Sequence, residues 1–115
     1  MSKFMALLVE DDVLQREALA NILMADGFEV LECATAEAAE LIIATSGAEF
    51  RAVVTDQNLE GPMLGSELAA FARTIFPRLN VVLISGSDPP RNRGNARFLR
   101  KPFSSEALLE AGRAG

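Results

Sequence analysis

The stretch "FMALLVEDD", Phe4–Asp12, decides how the chain is read. An unbroken apolar run, Phe4–Val9, stops abruptly in three acids, Glu10, Asp11 and Asp12. A short continuous apolar run fits a strand buried on both faces, as in a parallel sheet covered by helices. The figure recurs downstream. "RAVVTD" is an apolar run ending in Asp56, and "NVVLISG" is one ending at Ser85 and Gly86. Between these runs the apolar period changes. In "DVLQREALANILMADGFEV", Leu14, Ala18, Ile22 and Ala25 recur at helical spacing, with Leu19 and Leu23 beside them. Asp12 suits the start of that helix and Gly27 its end. "EVLECA" is a weaker strand. "TAEAAELIIATSG" is a helix opening near Thr35 and closing at Gly47. "SELAAFARTIF" is a helix stopped by Pro77. A fifth strand falls near Arg97–Arg100, and "SSEALLEAGRAG" is a short helix capped by Ser104 or Ser105. Strands and helices alternate without repeat or linker. This implies an α/β fold: a doubly wound, five-stranded parallel sheet with helices on both faces.

Bulk properties narrow the function. The 115 residues make one domain, and 50% of them are hydrophobic, enough for a core. A net charge of −5 argues against non-specific binding to DNA or to anionic membranes. Neither a long apolar span nor a basic-then-apolar leader is present, so a soluble, cytoplasmic protein is expected. The single Cys33 excludes an internal disulfide and any multi-cysteine metal site. The chain contains no histidine, so the commonest general base and transition-metal ligand is absent. Chemistry must run on carboxylates, hydroxyls, lysine and a hard cation.

In doubly wound sheets, ligands bind outside the carboxyl ends of the strands. The residues found there are Glu10, Asp11, Asp56, Ser85 and Lys101. The acids suit plain helix capping toward water, or a shared Mg²⁺, which relieves their repulsion and takes oxygen ligands. The main-chain carbonyl of Asn58 can add a ligand. Lys101, halted by Pro102, suits a salt bridge to Asp56 or Asp11. Ser85 suits either a turn before Gly86 or donation to an oxyanion. A cation, an ammonium and a hydroxyl around one carboxylate match a transferring phosphoryl group, with the carboxylate as nucleophile.

At this point the chain resembles the receiver domain of two-component response regulators, over nearly its whole length. "LLVEDD" is similar to the acidic pair of the first strand and "VVTDQN" to the phosphoacceptor strand. "LISGS" is similar to the hydroxyl-bearing strand and "RKPF" to the lysine–proline signature. The resemblance implies a flavodoxin-like sheet of order 2-1-3-4-5, with residues 1–115 as one receiver domain and no output domain. It implies Asp56 as phosphoacceptor and Mg²⁺ held by Glu10, Asp11, Asp56 and the carbonyl of Asn58. Ser85 and Lys101 would bind the phosphoryl group, and Ser85 and Phe98 would act as the switch. Phe98 also suits a simple core or half-buried position. The implied partners are a sensor histidine kinase or histidine phosphotransfer protein and a downstream protein target. DNA and membrane are not among them, and the protein would be a monomer or weak dimer. Self-phosphorylation and autodephosphorylation are the most that is expected of it as an enzyme.

Two departures from the family pattern stand out. "LEGPMLGSEL" places Gly and Pro differently from the commoner turn and carries Leu64 where an acid is frequent, so a local change beside Asp56 is expected. "SGSDPPRNRGNARFLRKPF", Ser85–Phe103, leaves only Gly86–Ala96 to cross from the fourth to the fifth strand. Pro89 and Pro90 restrict a helix start and Gly94 weakens its end. A loop or single turn is expected in place of the usual helix. Its loss should uncover apolar side chains of the fourth and fifth strands for a partner. Arg91, Arg93, Arg97 and Arg100 gather there, either as a solvated loop or as a surface steering an acidic partner or a phosphodonor. Two further readings compete: a phosphorylation-independent interaction module on this fold, and a small Mg²⁺-dependent aspartyl phosphatase. The second fits Glu10-Asp11-Asp12 poorly, because such enzymes usually carry an Asp-x-Asp pair there.

Overall fold

In the computed structural model, which describes residues 4–91 and 93–114, five strands form one wholly parallel sheet. They are β1 (Met5–Val9), β2 (Glu29–Cys33), β3 (Phe50–Asp56), β4 (Asn80–Ser85) and β5 (Arg97–Arg100), in the order β2-β1-β3-β4-β5. The helices are α1 (Val13–Ala25), α2 (Ala36–Ser46), α3 (Gly65–Ile75) and α4 (Ser105–Arg113), with a 3₁₀ turn at Gly47–Glu49. Sequence alternation and sheet order therefore agree with the expected doubly wound fold.

Side-chain alternation divides the core in two. Leu7, Val9, Val53, Val81 and Leu83 face α2 and α3, meeting Ala39, Ile43, Leu68 and Ala72. Ala6, Leu8, Val54, Val82 and Ile84 face α1 and α4, meeting Leu19, Leu23 and Leu108. This explains why β1, β3 and β4 read as continuous apolar runs: both of their faces are covered. Each fully buried Leu or Ile contributes about 1.5–3 kcal/mol.

The helix starts follow the capping residues. Asp12 Oδ1 accepts from the Gln15 N–H, Thr35 Oγ1 from Ala38 and Ser104 Oγ from Ala107. Gly27, at φ +98°, closes α1, its N–H donating to the Met24 carbonyl. The expected apolar stripe of α1 is corrected by about one residue of rotation. Leu19, Ala20 and Leu23 are buried, whereas Leu14 is 78% exposed. The first turn of α1 borders the acidic cleft beyond the end of β1, so Val13 and Leu14 have no sheet beneath them.

No described residue between Gly86 and Ala96 is helical, as Pro89, Pro90 and Gly94 (φ +63°) implied. The expected uncovering of β4 does not occur, for all six of its residues are buried. Ala96 packs into the α2–α3 side of the core. Arg93–Asn95 lie beside α3, forming a shallow cleft with Ala70, Arg73 and Thr74. Of β4 and β5, only β5 is partly open, with Phe98 and Leu99 half-buried.

Candidate functional site

Strand register builds the site. Val9 stands opposite Thr55, Asp56 opposite Ile84, and Ser85 opposite Arg100. The next residues, Glu10 and Lys101, therefore emerge level with Asp56 and Ser85 at one edge. Main-chain bonds carry the ladder past the strand ends: Glu10 N–H to the Cys33 carbonyl, Gln57 to Ile84 and Lys101 to Ser85. The Lys101–Pro102 peptide is cis.

The side chains meet in an open polar cleft lined by Glu10, Asp11, Gln15, Asp56, Asn58 and Glu60, among others. Asp56 is 8% exposed. Its Oδ2 accepts from Lys101 Nζ at 2.8 Å and its Oδ1 from the Asn58 N–H at 3.2 Å. Lys101 thus supplies the pairing charge that a buried carboxylate needs. Asp11 Oδ2 accepts from the Glu60 N–H at 3.1 Å, which ties the end of β1 to the β3–α3 loop. Ser85 is fully buried, and its Oγ accepts from the Ser87 N–H at 3.0 Å. An accepting hydroxyl keeps its own proton free to donate.

Glu10 is the least satisfied carboxylate of the site. It is 1% exposed, and Oε2 accepts from the Asp12 N–H, but Oε1 is buried without a hydrogen-bond partner among the described residues. Burial pushes its carboxyl up to about 7. The Asp12 N–H opposes this, and Asp11 and Asp56 add to it. A buried, orphaned carboxylate oxygen beside two further carboxylates fits a hard divalent cation. So does the donor set, which is all oxygen. Among the described residues no three acidic, histidine or cysteine side chains already converge on one point.

Several residues organise the site without any signal in the sequence pattern. Gln57 clasps the start of α3: the Ser66 N–H donates to its Oε1 at 2.7 Å, and its Nε2 donates to Ser66 Oγ at 3.2 Å. Gly65 lies so close beneath that a Cβ there would stand 2.1 Å from the Asp56 carbonyl oxygen. At the N-cap of α3, where Leu64 replaces a capping side chain, the Glu67 carboxylate accepts from the Leu64 N–H at 2.9 Å. Gln15 accepts from Lys101 Nζ at 2.9 Å.

The arginines do not form one cluster. Pairing of Phe98 with Leu83 sends the ring to the α2–α3 side of the sheet. There the guanidinium carbons of Arg93 and Arg100 lie 5.8 and 5.9 Å from its centroid. Arg100 also pairs with Asp88 at 2.9 Å. Arg97, one residue out of phase, donates instead to Asn80 Oδ1, whose Nδ2 holds the Ala111 and Gly112 carbonyls of α4. Arg91 is exposed.

Comparison with known proteins agrees with this geometry. The profile of the response regulator receiver domain matches residues 6–113. The response regulator protein FleR of Pseudomonas aeruginosa is 37% identical over 110 residues, which are 90% of this chain but 23% of that protein. The solved structure of a response regulator receiver protein from Sinorhizobium medicae WSM419 is 30% identical with a TM-score of 0.87, covering 96% of this chain and 91% of that one. The receiver domain of the hybrid histidine kinase CckA is 31% identical with a TM-score of 0.78, covering 92% and 93%. With the family profile matched from β1 to the last turn of α4, and the sheet order of the family in place, this chain belongs to the response regulator receiver domain family.

Proposed function

We propose that the chain is the phosphoacceptor of a histidine-to-aspartate relay, with Asp56 as the residue phosphorylated. The observation that carries the reading is the contact of Lys101 Nζ with Asp56 Oδ2 at 2.8 Å, at a strand edge where Glu10 and Asp11 also end. A carboxylate oxygen of Asp56 attacks the phosphorus of a phosphohistidine. The P–N bond breaks, its electron pair stays on the imidazole nitrogen, and an acyl phosphate forms. Lys101 neutralises charge on the phosphoryl oxygens, and the free hydroxyl proton of Ser85 donates to one of them. Glu10, Asp11, Asp56 and the Asn58 carbonyl would hold Mg²⁺, which supplies further charge neutralisation. The donor would be a sensor histidine kinase or a histidine phosphotransfer protein.

The output follows from Ser85. A Ser85 drawn to the phosphoryl group pulls on Ser87, whose N–H it holds, and so on the Asp88–Arg100 pair. Arg100 lies against Phe98. The switch therefore runs through Ser85 and Phe98 to a surface of Phe98, Arg91, Arg93 and Arg100 on which a downstream protein docks; Arg97 is turned to the other side. Phosphoryl contacts must favour one arrangement by a few kcal/mol for the switch to be effective. The test is incubation with Mg²⁺ and acetyl phosphate. A mass gain of one phosphate, absent in Asp56→Ala, is expected. No gain would favour a phosphorylation-independent interaction module.

A further inference from the structure

We infer that Gln15 is a positioning residue for phosphoryl transfer: it holds the Lys101 ammonium in place from the first turn of α1. The inference rests on Asp56 being the phosphoacceptor. An ammonium has three N–H donors and no acceptor. Two are assigned here, to Asp56 Oδ2 at 2.8 Å and to Gln15 Oε1 at 2.9 Å. One donor is left for an oxygen of the transferring phosphoryl group. Gln15 is itself anchored, since its N–H donates to Asp12 Oδ1 at 2.9 Å as part of the α1 cap. Lys101 is anchored through its main-chain N–H, which donates to the Ser85 carbonyl at 2.9 Å. The contact thus joins two fixed backbones at opposite ends of the chain. What the contact supplies is an acceptor oxygen within reach of the ammonium, a role that an amide or a carboxylate oxygen fills and a thioether does not. The Lys101 side chain is 32% exposed, so without Gln15 water competes for the donor and the long side chain regains rotamer freedom.

The same cation serves transfer onto Asp56 and hydrolysis from it, so loss of its orientation slows both. The test uses Gln15→Met, which keeps length and removes the acceptor, and Gln15→Glu, which keeps an acceptor at the same reach. Rates of Asp56 labelling at saturating acetyl phosphate and Mg²⁺, and of hydrolysis after donor removal, are measured with the ¹⁵N resonance of the Lys101 ammonium. Gln15→Met is expected to slow both steps by about three- to tenfold, or about 0.7–1.4 kcal/mol. It should move the Lys101 resonance and leave Mg²⁺ affinity within about twofold, a shift of about 0.4 kcal/mol. Gln15→Glu should restore the rates at saturating Mg²⁺. In a Lys101→Ala background, Gln15→Met should have no further effect. Rates close to wild type in Gln15→Met with an unmoved resonance would overturn the inference, as would equal slowing by Met and Glu or an undiminished effect without Lys101. If the wild type gains no phosphate on Asp56, the functional reading itself fails, and this inference falls with it.

Discussion

Gly65→Ala tests whether the start of α3 is packed against the phosphoacceptor strand as tightly as described. Gly65 does not have a positive φ, so alanine's backbone preference is not at issue. The cost is steric alone. A Cβ would meet the Asp56 carbonyl oxygen at 2.1 Å, and the Asp56 carbonyl carbon and Gln57 Cα at 2.9 Å each, where ordinary contact begins near 3.4 Å. These are backbone atoms and no rotamer change relieves them. Either α3 or the end of β3 must move by about 1 Å, well beyond what a close-packed interior absorbs freely. The Gln57 clasp resists that movement through the Ser66 N–H, the Ser66 hydroxyl and the Gly65 N–H, which donates to the Gln57 carbonyl. Overpacking of this kind costs about 1–3 kcal/mol. At about 4 °C per kcal/mol for a domain of this size, the melting temperature should fall by roughly 4–12 °C. Gly112→Ala serves as the control. It lies within α4, and its Cβ would find only Leu23 Cδ2 at 3.9 Å and Phe28 Cζ at 4.0 Å, so it should stabilise by about 0.5–1 kcal/mol. Thermal melts followed by circular dichroism read both changes, the chain having neither Trp nor Tyr. A Gly65→Ala protein melting at or above the wild type would refute the close approach.

Other perturbations probe other parts of the molecule. Glu10 has a pKa of about 7 when folded against 4.5 ordinarily, so the folded chain holds a proton that the unfolded chain releases between these values. Without metal, stability should therefore fall as pH rises from about 4.5 to 7, by at most roughly 3 kcal/mol, and Glu10→Gln should flatten the profile. Mg²⁺ should raise the melting temperature more at pH 8 than at pH 5.5, because it binds the deprotonated carboxylates. Asn80→Ala removes the donor to the Ala111 and Gly112 carbonyls and the acceptor for Arg97, and urea unfolding should show a loss of about 1–3 kcal/mol. Arg93→Ala and Arg100→Ala should each cost about 0.5–1 kcal/mol through lost cover of Phe98. The contribution of the exposed Asp88 pair should be small by comparison and should vanish at high salt.

Much of this was legible in the sequence because burial and strand endings leave local marks. β1, β3 and β4 are covered on both faces and so are continuously apolar, and the acid, hydroxyl and lysine at their ends and at that of β5 name the edge where chemistry sits. Asp12, Thr35 and Ser104 announce the helix starts because a capping oxygen serves an N–H only a few residues on. What was hidden depends on tertiary placement. The alanine-rich α1 offers several stripes of similar hydropathy, and only its docking selects Leu19, Ala20 and Leu23 over Leu14 and Ala18. Gln15, Gln57 and Asn80 act through amides, which neither periodicity nor charge flags. β4 stays covered although no described helix joins it to β5, because α3 and α4 lie over its two faces and Ala96 adds to the α3 side, an outcome set by contacts far apart in sequence.

The proposed transfer of a phosphoryl group to Asp56 has a direct chemical test. Borohydride converts an aspartyl phosphate, and not a free carboxylate, to homoserine. Peptide mass spectrometry after treatment with Mg²⁺, acetyl phosphate and borohydride reads the site directly. Phosphorylation of Asp56 requires homoserine at position 56 and unmodified residues at Asp11 and Asp12. Modification at either of those, or none at position 56 under conditions that label other receiver domains, would contradict it.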